Sequence, residues 1–176
     1  MAPLKQNIQW MIPMLLLMGT PLCQRAESSA ADAQNDMFFA RLDAVEKVRP
    51  FLPATVGTAL GVSFAAEPAA NKDSFLIYRS PPISGSWVDT AELRISNGQT
   101  LDDGLLVLDI ASTFTITSRE ITARYGQPWS ITPPNPHAAS APFYYTYRGD
   151  REKLSFGFQQ DTQRLVIVVI DRVNVK

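Results

Sequence analysis

The chain has almost none of the residues that carry most catalytic and redox chemistry. Its 176 residues include one cysteine, Cys23, and one histidine, His137. Cys23 lies close to the N-terminus and has no second cysteine to pair with, so the fold has no internal disulfide. His137 lies in a proline-rich segment, where an isolated histidine is rarely a general base. Neither residue predicts a catalytic site.

Other chemical signatures are missing as well. The sequence has no nucleophile elbow, no phosphate-binding glycine run and no group of residues at metal-ligand spacing. Asp109 and Asp171 form a possible carboxylate pair, but they end equivalent segments, so symmetry explains them without catalysis. We therefore predict a non-enzymatic protein without cofactor or metal.

Charge of one sign is also lacking. The formal net charge is −1 at pH 7, no block of five like charges occurs, and no basic segment is interleaved with aromatic residues. Proteins that bind nucleic acids usually show such a basic patch. The composition therefore excludes nucleic acid as an expected ligand.

The chain has no long hydrophobic run. Its apolar segment 10–18 is shorter than the roughly 20 residues that span a bilayer, and Pro13 interrupts it. With Lys5 before it, this segment predicts a signal peptide over residues 1–31, and small residues allow cleavage after Ala30 or Ala31. An uncleaved membrane anchor is the alternative. We expect no membrane span in a protein that is periplasmic or secreted.

The N-terminal cysteine raises the question of lipidation. A bacterial lipoprotein carries a small residue directly before its modified cysteine, whereas Leu22 precedes Cys23 here. The pattern disfavours a lipid anchor at Cys23.

What the sequence does contain is one order of signals that occurs twice. In each pass a helical segment ends at a glycine, Gly61 or Gly126, and three strand-like segments follow. The segments are 75–79, 91–95 and 105–110 in the first pass, and 144–148, 153–158 and 165–171 in the second.

The two passes are offset by similar distances along the chain. The offset is 65 residues for the glycines, 69 for Tyr78 and Tyr147, and 62 for Asp109 and Asp171. A slowly drifting offset predicts two similar α-βββ units, over residues 36–111 and 112–176. We expect an α+β fold with antiparallel sheets side by side and helices on one face.

Three helices are predicted from periodicity and end signals. The first begins at Asn35 or Asp36, has Phe38, Leu42 and Val45 on one face, and stops before Pro50. The second runs from Pro53 to a cap at Gly61. The third begins at a capping box, formed by Thr117 and Glu120. Residues 127–142 are rich in proline and predict a surface loop without a strand.

Aromatic residues are the first candidates for partner contacts. Alternation places Phe143, Tyr145 and Tyr147 on one face of a strand and Tyr144 on the other. One set packs under the helices and the other reaches solvent, or both are ordinary sheet packing. We take Tyr145 and Tyr147 as candidate contacts, since tyrosine is frequent at interfaces.

Two tryptophans and two aspartates in loops complete the candidate site. Trp87 and Trp129 lie at comparable places in the two passes, where each is either a lid folded over the core or an exposed anchor. Asp102 and Asp103 follow the turn signal Asn97-Gly98, so a loop over 97–104 presents them to a basic or polar cleft.

The second pass resembles a known unit. It has Glu120-Ile121 in a capped helix, then Arg124-Tyr125-Gly126-Gln127-Pro128, then the strands 144–148, 154–158 and 165–171. This order resembles the unit shared by outer-membrane-assembly lipoproteins of the SmpA/OmlA type and by the secreted β-lactamase inhibitory proteins. A tandem pair of units resembles the latter, which implies export and a concave sheet with projecting loops. The resemblance assigns no target.

The sequence therefore predicts an exported protein-binding module. It acts as an inhibitor or immunity protein against a secreted or envelope-targeted enzyme. The alternative is an accessory of outer-membrane assembly in the cell envelope. A third hypothesis is a small-ligand site between the two units.

Overall fold

The computed structural model describes residues 22–71, 74–83, 86–97, 103–138 and 140–172, with side chains from Asp32 onward. The chain divides into two compact units, Met1–Gln34 and Asn35–Lys176. The fold described below is that of the second unit. No helix in the described part of the chain is long and apolar enough to cross a membrane.

The three predicted helices are present, and the first is longer than predicted. They are α1 (Leu22–Lys47), α2 (Pro53–Leu60) and α3 (Ser118–Tyr125), with a short 3-10 helix at Pro68–Ala70. We predicted that α1 begins at Asn35 or Asp36. It begins earlier because residues 22–47 contain neither proline nor glycine and include several alanines, which favour helix.

The predicted end of α2 and the predicted start of α3 are confirmed. Gly61 closes α2 in the left-handed region, with φ of 76°, and its N–H donates to the Gly57 carbonyl at 2.8 Å. At the start of α3, Oε2 of Glu120 accepts from the N–H and the hydroxyl of Thr117, both at 2.8 Å. Asn35 Nδ2 donates to the other Glu120 oxygen at 2.8 Å. The same carboxylate therefore caps α3 and joins it to α1.

Eight strands form one antiparallel sheet. They are β1 (Ala65–Ala66), β2 (Phe75–Arg79), β3 (Val88–Ser96), β4 (Gly104–Ile110), β5 (Ser130–Thr132), β6 (Phe143–Arg148), β7 (Glu152–Phe158) and β8 (Leu165–Arg172). Their order across the sheet is β1-β2-β3-β4-β8-β7-β6-β5. The six longer strands were predicted. The sequence pattern missed β1 and β5, because two or three residues at a sheet edge show no alternation.

Strands β4 and β8 join the two halves of the chain. They pair antiparallel along most of their length, with Val107 opposite Val169. The prediction of an α+β fold is confirmed. The two sheets predicted to lie side by side form one continuous sheet.

All three helices pack on one face of this sheet. The core contains Phe38, Leu42 and Val45 of α1, Val56 and Leu60 of α2, and Ile121 of α3. The strands contribute alternate residues, Ala91, Leu93 and Ile95 of β3, Leu106, Leu108 and Ile110 of β4, and Leu154, Phe156 and Phe158 of β7. Since alternate residues of a strand share a face, the residues between them point to the opposite face, to which no helix residue of the core described over 35–172 belongs.

The two-unit repeat stays a prediction. Tyr78 of β2 lies in a cross-strand row with Leu93 and Leu106, and Tyr147 of β6 lies in a row with Leu154 and Ile170. If these two rows are equivalent, Leu106 corresponds to Ile170, and the offset between the units on this strand pair is 64 residues. The sequence instead predicts that Asp109 corresponds to Asp171, an offset of 62 residues on the same strand pair. The proposed equivalences therefore differ by two residues across the sheet.

A buried arginine at the end of β8 holds the C-terminal end of α1. The Arg172 side chain donates to the carbonyls of Val45 at 2.7 Å, Glu46 at 2.8 Å and Val48 at 2.7 Å. Its guanidinium carbon lies 4.3 Å from the ring centre of Phe51. Helix C-terminal carbonyls lack partners within the helix and carry partial negative charge, so a cation there stabilises the helix.

Replacing Arg172 with methionine should lower the free energy of unfolding by about 3 kcal/mol, because buried carbonyls lose charged donors and Glu152 loses its partner at 3.3 Å. Arg172→Lys should cost less, since one ammonium retains the charge. Urea unfolding measures both. The control is Arg151→Met, at an exposed position in the adjacent turn. A loss below about 1 kcal/mol for Arg172→Met would contradict this role.

Candidate functional site

Trp87 lies in the core and not on the surface. It is 6% exposed, and its ring centre lies 5.1 Å from that of Phe38 and 6.4 Å from that of Phe114. Of the two alternatives that the sequence left open, Trp87 takes the lid position. Burial removes it from the residues that are accessible to a partner.

The two candidate tyrosines lie on the helix side of the sheet. Tyr147 is 9% exposed, and its hydroxyl donates to the Gly126 carbonyl at 3.2 Å. Burial raises the pKa of its phenol. Tyr145 is half-buried, with its ring centre 5.5 Å from that of Phe143 and 5.2 Å from that of Phe158. Both tyrosines therefore support the core, and Tyr145 exposes only an edge.

Trp129 is the predicted aromatic contact that does reach solvent. It is 61% exposed, and the guanidinium carbon of Arg148 lies 5.7 Å from its ring centre. Trp129 and Tyr147 both line a cleft of about 350 Å³ beside α3. The structure thus brings together two of the six predicted residues, Trp129 and Tyr147, at one cleft.

The predicted loop contact is described only in part. Asp102 lies outside the described residues. Asp103 is half-buried directly before β4, and its carbonyl accepts a hydrogen bond from the N–H of Ser96 at 3.3 Å.

The face of the sheet without helices carries a central apolar strip. On the two middle strands, Val107 lies opposite Val169, Leu105 opposite Asp171, and Ile167 opposite Asp109. The apolar members Leu105, Val107, Ile167 and Val169 are half-buried and are absent from the hydrophobic core. We call these four residues the aliphatic stripe. Because β-branched and leucine side chains stand next to one another there, the stripe is a continuous apolar surface.

Tyr144 extends this surface, and the sequence did not select it. It lies opposite Gly157, and a Cβ atom placed on Gly157 would lie 2.8 Å from Cε1 of Tyr144. The ring therefore lies flat across the glycine, next to Ile167. Burial, and secondarily the Asp109 carboxylate, raises the pKa of Tyr144. The alternation of 143–148 placed Tyr144 on its own face, but only the pairing with Gly157 shows why it lies flat.

Charged residues border the stripe on both sides. On the β3 side, Arg79 Nη2 lies 2.7 Å from Glu92 Oε2, and Arg94 Nε also contacts Glu92. On the β7 side, Lys153 Nζ lies 3.9 Å from Asp171 Oδ2. Apolar centres with polar rims are typical of protein–protein interfaces.

Glu92 organises the β3 side of this border. Partial burial alone would raise the pKa of its carboxyl, but hydrogen bonds from Arg79 and Arg94 outweigh burial and lower it below 4.5. The carboxylate is therefore ionised at neutral pH and holds both guanidinium groups beside the stripe.

No group of three or more His, Cys, Asp and Glu side chains gathers for a metal ion in the described part of the chain. The described border of the stripe consists of ion pairs and hydroxyl groups, such as Thr90 Oγ1, which donates to Asp109 Oδ2 at 2.6 Å.

Comparisons with known proteins give little. No family model matches the chain, and no curated protein matches it. Among solved structures, a DUF4309 family protein from Bacillus subtilis matches with 13% identity and a TM-score of 0.47, over 83% of this chain and 99% of that one. At this level, the match assigns neither fold nor function. The resemblance to inhibitory proteins and assembly lipoproteins stays a prediction.

Replacing Glu92 with glutamine should lower the free energy of unfolding by about 1 kcal/mol at pH 7, because two partly screened charged hydrogen bonds weaken. A lowered pKa stabilises the folded state above the unfolded value of 4.5, and this contribution disappears as the pH falls through the folded value. Urea unfolding of both proteins from pH 7 to pH 3 should therefore show a gap that closes in acid.

The control for this series is Asp150→Asn, at an exposed carboxylate in the turn between β6 and β7. It should show no such gap. A gap for Glu92→Gln that stays constant with pH would mean that the carboxylate charge is not the cause.

Proposed function

We propose that this protein is an exported, non-enzymatic binding module that inhibits, or protects against, a secreted or envelope-targeted enzyme. The partner lies against the aliphatic stripe and Tyr144. The observation that carries the proposal, over the described residues from 35 to 172, is a sheet whose core contacts with the helices lie on one face and whose other face bears an apolar strip. Export is supported by the signal-peptide pattern of residues 1–31.

The size of this face supports a protein partner. Six strands, β2 to β4 and β6 to β8, lie about 4.8 Å apart, and a six-residue length is about 20 Å, which gives roughly 600 Å². Specific protein interfaces bury about 600–1,000 Å² on each partner. The open face therefore has the minimum area for one stable interface.

The chemistry of the face also favours a protein. A small ligand needs a concave pocket that surrounds most of its surface. The stripe is instead a flat strip along the two central strands, with Tyr144 on Gly157 at one side. Apolar contact supplies affinity in such an interface, and the bordering ions around Glu92 and Asp171 supply orientation.

Val169→Glu should reduce capture of the partner by tenfold or more, because it buries a carboxylate in the centre of the interface. The purified, tagged protein is used as bait on secreted and envelope fractions of its source and of competing cells. The expected result is one stoichiometric enzyme that loses activity when bound. Circular dichroism shows whether the variant is folded, and Leu105→Lys is the second variant if it is not.

The matched control is Thr58→Glu, which adds the same charge at an exposed position of α2 in the helix layer. It should retain the partner. An enzyme that Val169→Glu still captures, or that stays active when bound, would contradict the proposal. Recovery of outer-membrane assembly components in place of an enzyme would favour the envelope alternative.

A further inference from the structure

A second surface, apart from the stripe, has the chemistry of a cation site. It is the cleft of about 350 Å³ beside α3. Its half-buried or buried lining consists of Glu46, Tyr125, Tyr147, Glu152 and Leu154, and its exposed lining consists of Gln127, Trp129, Arg148 and Gly149. Acidic and aromatic side chains thus form the inner part.

Glu46 is placed where the fold disfavours a carboxylate. It lies in the last turn of α1, at the negative end of the helix dipole. Burial, and then the charges of Glu152 and Asp43, raises its pKa to about 6. Among the residues that the structure describes, none donates a hydrogen bond to its carboxylate; Arg172 reaches only its backbone carbonyl, at 2.8 Å.

The neighbouring cations are committed to other acceptors. Arg124 Nη2 lies 2.7 Å from Asp43 Oδ2. Arg172 donates to the end of α1 and to Glu152. Their charges partly offset the raised pKa of Glu46 but supply no donor to it. The Glu46 carboxylate is therefore ionised above about pH 6 and can accept a hydrogen bond from a cationic ligand.

Tyr125 contributes an aromatic ring to the same cleft. Its hydroxyl oxygen is buried and has no hydrogen-bond partner among the described residues. Its ring lines the cleft with Tyr147, whose ring centre lies 5.4 Å away, and with the exposed Trp129. Aromatic faces attract cations, so these rings favour a positively charged ligand.

We propose that this cleft receives a primary alkylammonium group, presented by a lysine side chain of the bound partner. The ammonium donates to the Glu46 carboxylate, and the aliphatic chain lies between the rings of Tyr147 and Trp129. That the ammonium group belongs to a lysine of a protein partner rests on the proposed function. That the cleft binds an alkylammonium group does not. Arg148 lies at the outer side of the cleft, where its guanidinium carbon is 5.7 Å from the ring centre of Trp129.

The test is a titration of the purified protein with Nα-acetyl-lysine N-methylamide, followed by NMR. The indole N–H of the exposed Trp129 should shift, with a Kd on the order of 1 mM for so small a ligand, while the buried Trp87 serves as the internal control. The uncharged isostere Nα-acetyl-norleucine N-methylamide should not bind.

Variants of residues that line the cleft show whether the probe binds there. Glu46→Gln should weaken binding about tenfold, the loss expected for a charged hydrogen bond, whereas Asp36→Asn, at an exposed position of the same helix, should not change it. Binding should also weaken from pH 7.5 to pH 5 in the wild type but not in Glu46→Gln. Within the cleft and its surroundings, the other charged groups are Glu152, Asp43, Arg124, Arg148 and Arg172.

Three results would overturn the inference. They are equal binding of the norleucine probe, no Trp129 shift up to about 20 mM lysine probe, or loss of binding in Arg148→Gln but not in Glu46→Gln, which would indicate an anion site. n-Butylammonium tests whether the ammonium group comes from a lysine of the partner or from a free amine. If n-butylammonium binds tighter than the lysine probe, and the Glu46→Gln variant still captures the partner normally, then the lysine assignment is wrong. The probe titrations do not need the partner. If the probes do not bind, the proposed function is not affected, and if the partner is not captured, the result of the ammonium titration still holds.

Discussion

The pairing of β4 with β8 is the constraint on which the rest of this structure depends. It joins residues from the two halves of the chain into one eight-stranded sheet. Two separate four-stranded sheets would each expose a further strand edge, which is a site for aggregation. Once the edges are joined, α1 can contact both halves: Phe38 packs on Trp87, and Asn35 binds Glu120.

The two faces of the sheet carry different side chains in the described part of the chain. The helix side holds the large aromatic residues, including Trp87, Tyr147 and Phe156. The opposite side carries aliphatic residues on the two central strands and ion pairs around them. The junction of the two halves is thus also the centre of the proposed interface, so the residues that hold the halves together and those that contact a partner alternate along the same strands.

Local structure could be predicted from the sequence because its signals are local. Gly61 ends a helix since it alone adopts a positive φ there without strain, and the Thr117–Glu120 pair caps the next helix. Alternation located the six longer strands. It did not find β1 or β5, whose few residues depend on a neighbouring strand for their hydrogen bonds.

Contacts between distant parts of the chain could not be predicted in the same way. The proline-rich setting of Trp87 resembled that of Trp129, yet only Trp87 meets Phe38 of α1 and is buried. Tyr145 and Tyr147 were chosen over Tyr144 because alternation separates two faces without showing which one the helices cover. The acidic cleft depends on Glu46 and Glu152, which lie far apart in the sequence; Arg172 donates to the backbone carbonyl of the first and to the carboxylate of the second.

The central claim is that a partner lies on the open face and the helices serve as scaffold. The most direct measurement is site-specific photocrosslinking in the source cells, with benzoylphenylalanine replacing Tyr144 on the open face or Thr58 on α2. The account predicts one crosslinked protein from position 144 and none from position 58. Crosslinks from position 58 alone would contradict it.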